Sequence, residues 1–223
     1  MSEGGHEPPS GYASPACLLH ELDGSAAPLD RAQILRWRKA ERQRLIAARV
    51  ALPSRTVRAL SERIVRHLKT AIGDLSSVTV STYAPIRNEP GLTSLVRDLV
   101  AQGGRHALPV VIERGHPMVF RVWSPGDPLE RGIWNIPQPP ANAEAVLPDV
   151  VIAPIVGYDA ECYRLGYGGG YFDRTLASLP RRPRVIGIGY AQSAIPTIYP
   201  LAHDIPMSEI VTEEAVIQRS GKS

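Results

Sequence analysis

The run Arg164-Leu165-Gly166-Tyr167-Gly168-Gly169-Gly170-Tyr171-Phe172-Asp173 sets four glycines in five positions between a fixed cation and a carboxylate. Glycine at that density would weaken a helix or strand interior, so the backbone must serve another purpose there. It lets the chain approach a ligand closely and turn successive N–H groups inward, which makes a concave anion site. The segment from Tyr171 to Leu179 reads as a helix, whose N-terminus adds oriented donors and a positive dipole end. Arg164 supplies a cation for phosphate oxygens, and Asp173 supplies a hard oxygen ligand of the kind Mg²⁺ takes. A ligand-free glycine turn would account for the glycines but not for the two flanking charges. The run is not a Walker A loop, because no Gly-Lys-Ser/Thr follows. A dinucleotide fingerprint fails at Tyr171, where its third glycine would stand.

The elements that must position this loop read as an α/β protein. A chain of 223 residues with 43% hydrophobic content can build one substantial core, most simply a single domain. Residues 1–28 read as a flexible arm with a clasp at Ala16 to Leu22, residues 29–216 as the folded domain, and 217–223 as a flexible tail. Asp30, with Gln33 three positions on, predicts a helix start. The helix runs to about Ala51, with Ile34, Trp37, Leu45 and Ala48 near one face and Arg31, Arg36, Arg38, Lys39, Arg42, Arg44 and Arg49 over the rest. Val57, Leu60, Ile64 and Leu68 mark a second, core-facing helix. Strands are expected from Val78 to Tyr83, Ala107 to Ile112, Met118 to Trp123, Val150 to Ala153, Val185 to Ile188 and at Ile210–Val211, with a short helix around Leu92, Leu95 and Leu99. Residues 124–146 form a Pro/Gly/Asn-rich surface excursion. Strands alternating with helices predict a three-layer α/β/α arrangement around a mixed, mainly parallel sheet.

Composition narrows the function classes. Two cysteines, Cys17 and Cys162, give neither a disulfide framework nor a zinc cluster and suit a cytoplasmic protein. No apolar run reaches the roughly 18 residues of a membrane span, and the first thirty residues lack the order of a signal peptide. The net charge of +3 suits anionic small molecules as well as nucleic acid. A nucleic-acid binder would rest on the arginine-rich first helix and the basic pI, without any recognised binding motif. A dinucleotide oxidoreductase lacks its early strand–GxGxxG unit.

Four landmarks in order resemble the 5-formyltetrahydrofolate cyclo-ligase (5,10-methenyltetrahydrofolate synthetase) family. They are Tyr83-Ala-Pro-Ile-Arg-Asn-Glu89, Trp134-Asn-Ile-Pro-Gln-Pro139, Asp159 with Arg164 to Asp173, and His203-Asp204 followed by Val211-Thr-Glu213; the likeness spans about residues 34–215. The resemblance implies a folate enzyme of one-carbon metabolism. It would use ATP and Mg²⁺ to turn 5-formyltetrahydrofolate into 5,10-methenyltetrahydrofolate, with ADP and phosphate as products. It further implies that Arg164, Leu165, Gly166, Tyr167, Gly168, Gly169, Gly170, Tyr171 and Phe172 wrap the ATP phosphates, with Arg38, Lys39 and Arg42 contributing from the first helix. Arg164, Tyr167 and Gly168 would lie at the reacting groups. Ala84, Glu89, Trp134, Tyr167, Gly168, Gly169, Gly170 and Tyr171 would line the folate site, and Asp173 and Asp204 would hold Mg²⁺. A monomer is expected.

Three departures from the family pattern stand out: Cys162 where glycine is usual, Phe172 in place of a common tyrosine, and a one-residue displacement of Gln192 and Pro200 relative to His203-Asp204. A relative that kept the fold and lost activity is the alternative that Cys162 raises. Cellular folates carry γ-linked glutamate chains, and the basic residues between 31 and 49 could line the path of such a tail.

Overall fold

A computed structural model describes residues 29–219. The expected arm, its clasp and Cys17 lie outside them. The chain divides into Met1–Leu35, of which the start of the first helix is described, and Arg36–Ser223, which holds the sheet and the remaining elements.

Helix α1 (Arg31–Val50) opens on a reciprocal cap. The Gln33 N–H donates to Asp30 Oδ1 at 2.8 Å and the Asp30 N–H to Gln33 Oε1 at 2.7 Å, which satisfies donors the helix itself cannot. Of the apolar stripe expected, Leu45 is buried and Ile34 and Trp37 are half-buried, but arginines share the inward face. Arg38, Leu45 and Arg49 are buried and Arg42 is half-buried, while Ala48 is exposed. The spacing 38, 42, 45, 49 is itself a helical face, and arginine stems can occupy such a face when their heads find partners. Helix α2 (Ser54–Ile72) buries Ile64 and Leu68 fully and ends at Gly73, where φ is +82°.

The sheet strands are β1 (Thr79–Ser81), β2 (Arg105–Val110), β3 (Val119–Val122), β6 (Ala145–Val146), β7 (Val150–Pro154), β10 (Arg184–Ile188), β11 (Glu209–Val211) and β12 (Val216–Gln218). They run in the order β12-β11-β10-β7-β1-β2-β3-β6. The central five, β11 to β2, are parallel, and antiparallel strands complete both edges. Alternation along β7 assigns the two faces. Val150 and Ile152 join the core under α2 and α3 (Thr93–Ala101), whereas Val151 and Ala153 join the core under α4 (Tyr171–Ser178). The expected three layers around a mixed, mainly parallel sheet are therefore present.

Several short pieces escaped the sequence pattern. The excursion 124–146 carries β4 (Glu130–Arg131), β5 (Pro137–Gln138) and the edge strand β6, and a hairpin of β8 (Gly157–Tyr158) with β9 (Arg164–Leu165) precedes the glycine run. Strands of two residues have no period to read. β12 pairs with β11, so the residues given to a tail from 217 begin inside a strand. Among the described residues no helix is long and apolar enough to cross a membrane.

Candidate nucleotide and folate site

In open parallel sheets ligands bind beyond the carboxyl ends of the strands. Here those ends deliver the Thr82–Pro90 loop after β1, the β8–β9 hairpin and glycine run after β7, Tyr190 after β10, and Thr212–Glu213 after β11. A small apolar core of Leu45, Val156, Leu165, Ile195 and Ile198, flanked by Trp37, seats α1 against the same end.

Asp159 shapes the approach to the glycine run. Its Oδ1 accepts the Glu161 and Tyr163 N–H groups, each at 3.1 Å, and its Oδ2 accepts the Ile198 N–H at 3.0 Å. Cys162 turns the hairpin at φ +60°, the left-handed region where glycine is favoured, which explains the usual residue there. The side chain is buried, and its thiol, pushed up to about 11 chiefly by that burial, stays neutral at pH 7.

After β9 the backbone opens. Gly168 has φ +96°, and Gly170, at φ +63°, caps α4. None of the N–H groups from Gly166 to Asp173 donates to an acceptor among the described residues; the next, that of Arg174, closes on the Gly170 carbonyl. This row of free donors leads into the positive end of α4. Arg42 stands beside it, its Nε donating to the Gly166 carbonyl at 2.6 Å. Its guanidinium lies 3.3 Å from where a Cβ on residue 168 would sit. Burial, and then the neighbouring Arg38 charge, push the Arg42 pKa down, so the two neighbouring cations would both gain from an anion placed there.

Arg38 donates to the Ile198 and Tyr199 carbonyls, both at 2.8 Å, and forms a 2.5 Å ion pair with Asp204. Burial pushes the Asp204 carboxyl up, but Arg38 and the Leu201 N–H outweigh it and hold the group below its ordinary value. Arg164 pairs with Asp173 at 2.8 Å, lies over the Phe172 ring and touches Met207 Sδ. The Ile205 N–H reaches Asp173 Oδ1 at 3.2 Å, which joins the two ion pairs into one cluster. Among the described residues no three His, Cys, Asp or Glu side chains converge as a metal site. The donor set fits a hydrated ion carried in on phosphates, the usual habit of Mg²⁺, better than a free ion held by protein alone.

Glu89 is buried at the end of the loop after β1. Its Oε2 accepts the Ile86 N–H and its Oε1 the Tyr167 hydroxyl, both at 2.9 Å, and Arg49 Nη2 lies 3.6 Å from Oε1. It caps no helix. Burial raises its pKa against the pull of Ile86, Arg49, Tyr167 and Arg87, and burial beside it pushes the Tyr167 phenol up to about 12. Asn88 fastens this loop to α1 by donating to the carbonyls of Arg49, Val50 and Leu52, while the Tyr190 hydroxyl holds the Asn88 carbonyl at 3.0 Å.

On the outer side, Trp134 is 52% exposed with φ +58°, edge-on to Tyr171 at 5.3 Å and beneath Arg114. It is an aromatic surface rather than a packed core residue. Tyr171 also accepts the Gly115 N–H, and Arg174 covers its ring. Leu165 is core, Ala84 is half-buried, and Lys39 is exposed, its side chain without a hydrogen bond or ion pair among the described residues. Sequence reasoning missed Arg49, whose position seven residues after Arg42 and eleven after Arg38 was the available signal. It counted Arg49 among surface charges for a folate tail. The residue is buried and fully engaged, so Arg49 cannot line such a path, and exposed Arg44 pairs with Glu41 at 2.5 Å.

Known proteins resemble the chain over most of its length. It is 26% identical over 157 residues to the 5-formyltetrahydrofolate cyclo-ligase of Haemophilus influenzae, covering 67% of this chain and 83% of that one. It is 30% identical over 145 residues to that of Mycolicibacterium smegmatis, covering 62% and 75%. The solved 5,10-methenyltetrahydrofolate synthetase of Aquifex aeolicus superposes with a TM-score of 0.72 at 29% identity, over 83% of this chain and 95% of that one. The family model described as the 5-formyltetrahydrofolate cyclo-ligase family matches residues 34–213, and the chain belongs to that family.

Proposed function

We propose that the chain catalyses the ATP- and Mg²⁺-dependent cyclisation of 5-formyltetrahydrofolate to 5,10-methenyltetrahydrofolate, with release of ADP and phosphate. The observation that carries the reading is the unbroken row of free N–H groups from Gly166 to Asp173, flanked by Arg42 and Arg164. Donors in that order suit a polyphosphate, and their fixed direction needs no reorganisation when charge develops.

A formamide oxygen is a poor leaving group. Transfer of the γ-phosphoryl group to the formyl oxygen makes it a good one: N10 closes on the activated carbon, and phosphate departs with that oxygen. Such chemistry asks for alignment and charge neutralisation more than for an acid–base pair. The loop amides with Arg38 and Arg42 hold the phosphates, and Lys39 reaches the nucleotide from the exposed side of α1. Glu89 accepts hydrogen bonds from the donor-rich pterin edge, Ala84 leaves room for it, and Trp134, Tyr167 and Tyr171 offer flat surfaces to the rings. Asp173 and Asp204 would hold Mg²⁺ once phosphates draw Arg164 and Arg38 toward themselves. The ion supplies charge neutralisation of the phosphate oxygens. The test is stoichiometry: methenyl absorbance should grow with one ADP formed per product, each dependent on the other substrate. Product without nucleotide consumption would refute the reading.

A further inference from the structure

The proposed function leaves one buried cation without a role. Arg49 projects from α1 into the carboxyl ends of the strands with only 6% of its side chain exposed. Nε donates to the Arg87 carbonyl at 3.0 Å and Nη1 to the Ile155 carbonyl at 3.1 Å. Nη2 donates to the Tyr167 hydroxyl and lies 3.6 Å from Glu89 Oε1. A single guanidinium thus joins the loop after β1, the end of β7 and the glycine run. The two carbonyls take two of the five N–H donors of the guanidinium. Here the rest of the fork goes to the two side chains that the proposed function gives to the folate.

We infer that Arg49 is a positioning residue for the folate: its rigid fork fixes the Glu89 carboxylate and the Tyr167 hydroxyl relative to each other, and so sets the pterin site against the phosphate loop. The inference rests on the proposed function. Lysine cannot replace such a fork, because an ammonium is a point donor on a flexible stem. The groups facing Glu89 are Arg49 from α1, Arg87 from its own loop, Tyr167 from the glycine run, Tyr83 at the end of β1 and Tyr190 after β10, with Glu213 beyond Tyr190. Of these, Arg49 and Arg87 are the cations that favour the ionised carboxylate.

The experiment measures affinity for 5-formyltetrahydrofolate and for a non-hydrolysable ATP analogue across pH, in the unaltered protein and in Arg49→Gln, Arg49→Lys and Tyr167→Phe. Folate binding should weaken by about tenfold or more in both Arg49 variants, with the analogue within about threefold, since a buried charge-assisted hydrogen bond is lost. The pH below which folate binding fails should move upward in Arg49→Gln, where Glu89 has lost its cation, and stay in place in Arg49→Lys. A structural role alone would weaken both ligands together and leave that pH unmoved, which overturns the inference. Should the Arg49 variants not fold, Tyr167→Phe decides: it cuts the bridge at a partly exposed ring and should weaken folate binding in the same selective way, and an unchanged affinity overturns the proposal. Absence of folate binding by the unaltered protein would instead refute the proposed function, and this inference with it.

Discussion

Arg164 and Asp173, at the two ends of the glycine run, meet as a 2.8 Å ion pair with side chains 5% and 15% exposed. The pair closes the base of a loop whose N–H groups, from Gly166 to Asp173, have no acceptor among the described residues. The cation read for phosphate and the carboxylate read for metal are therefore each other's partners.

Asp173→Asn should act in two ways. It takes from the buried Arg164 its hydrogen-bonded counter-charge and leaves only the more distant Asp204, which costs about 3 kcal/mol at most, and it weakens the oxygen ligand offered to Mg²⁺. Urea unfolding should register the first, and a shift of the rate-versus-Mg²⁺ curve to higher concentration the second. A destabilised variant with an unmoved Mg²⁺ requirement would leave Asp173 as a loop fastener only.

Glu89→Gln should raise KM for the folate while leaving nucleotide affinity within about threefold, since the amide keeps one acceptor but loses the charge. Burial raises the Glu89 pKa, so in the unaltered protein folate affinity should fall as pH drops through a value above the ordinary glutamate range. The variant should lose that dependence. The stability effect has the opposite sense. A raised folded-state pKa gives a contribution that is full below the ordinary pKa and lost as pH rises through the raised one. Relative to the unaltered protein, Glu89→Gln should therefore gain stability with rising pH, and a trend in the other direction would contradict the burial argument.

The layers and most strands were legible because their periods are long enough to read: β7 alternates between two cores, and α2 steps by three and four. The glycine run was legible because its composition fits no regular element. Two things were not. The β8–β9 hairpin depends on Asp159 gathering three N–H groups from two segments, which no local pattern encodes. The burial of Arg38 and Arg49 depends on partners 166 and 40 residues away, Asp204 and Glu89, so spacing set both among the polar residues outside the apolar stripe. Helical spacing alone does not say which face of an arginine-rich helix turns inward.

Gly168→Ala should lower nucleotide affinity sharply while the protein stays folded. The position has φ +96°, is exposed, and would bring a methyl group to 3.3 Å from the Arg42 guanidinium. Gly73→Ala is the control. At φ +82°, with open space and no part in the site, it should cost about 1 kcal/mol of stability and leave nucleotide affinity unchanged. Equal effects of the two on nucleotide binding would remove the loop from the site.

Cys162→Gly should change stability by no more than about 1 kcal/mol, because relief of a left-handed conformation offsets the loss of a small buried side chain. Activity should be retained. Thermal unfolding and a rate measurement check both. A large loss of activity would mean that the thiol does more than fill the hairpin.

The most direct test of the account follows the formyl oxygen. With 5-formyltetrahydrofolate labelled by ¹⁸O in the formyl group, MgATP and the unaltered protein, the phosphate released should carry one ¹⁸O for each methenyl product formed. Product accompanied by unlabelled phosphate, or by no ADP, would contradict phosphoryl activation of the formyl group at the Gly166–Phe172 loop.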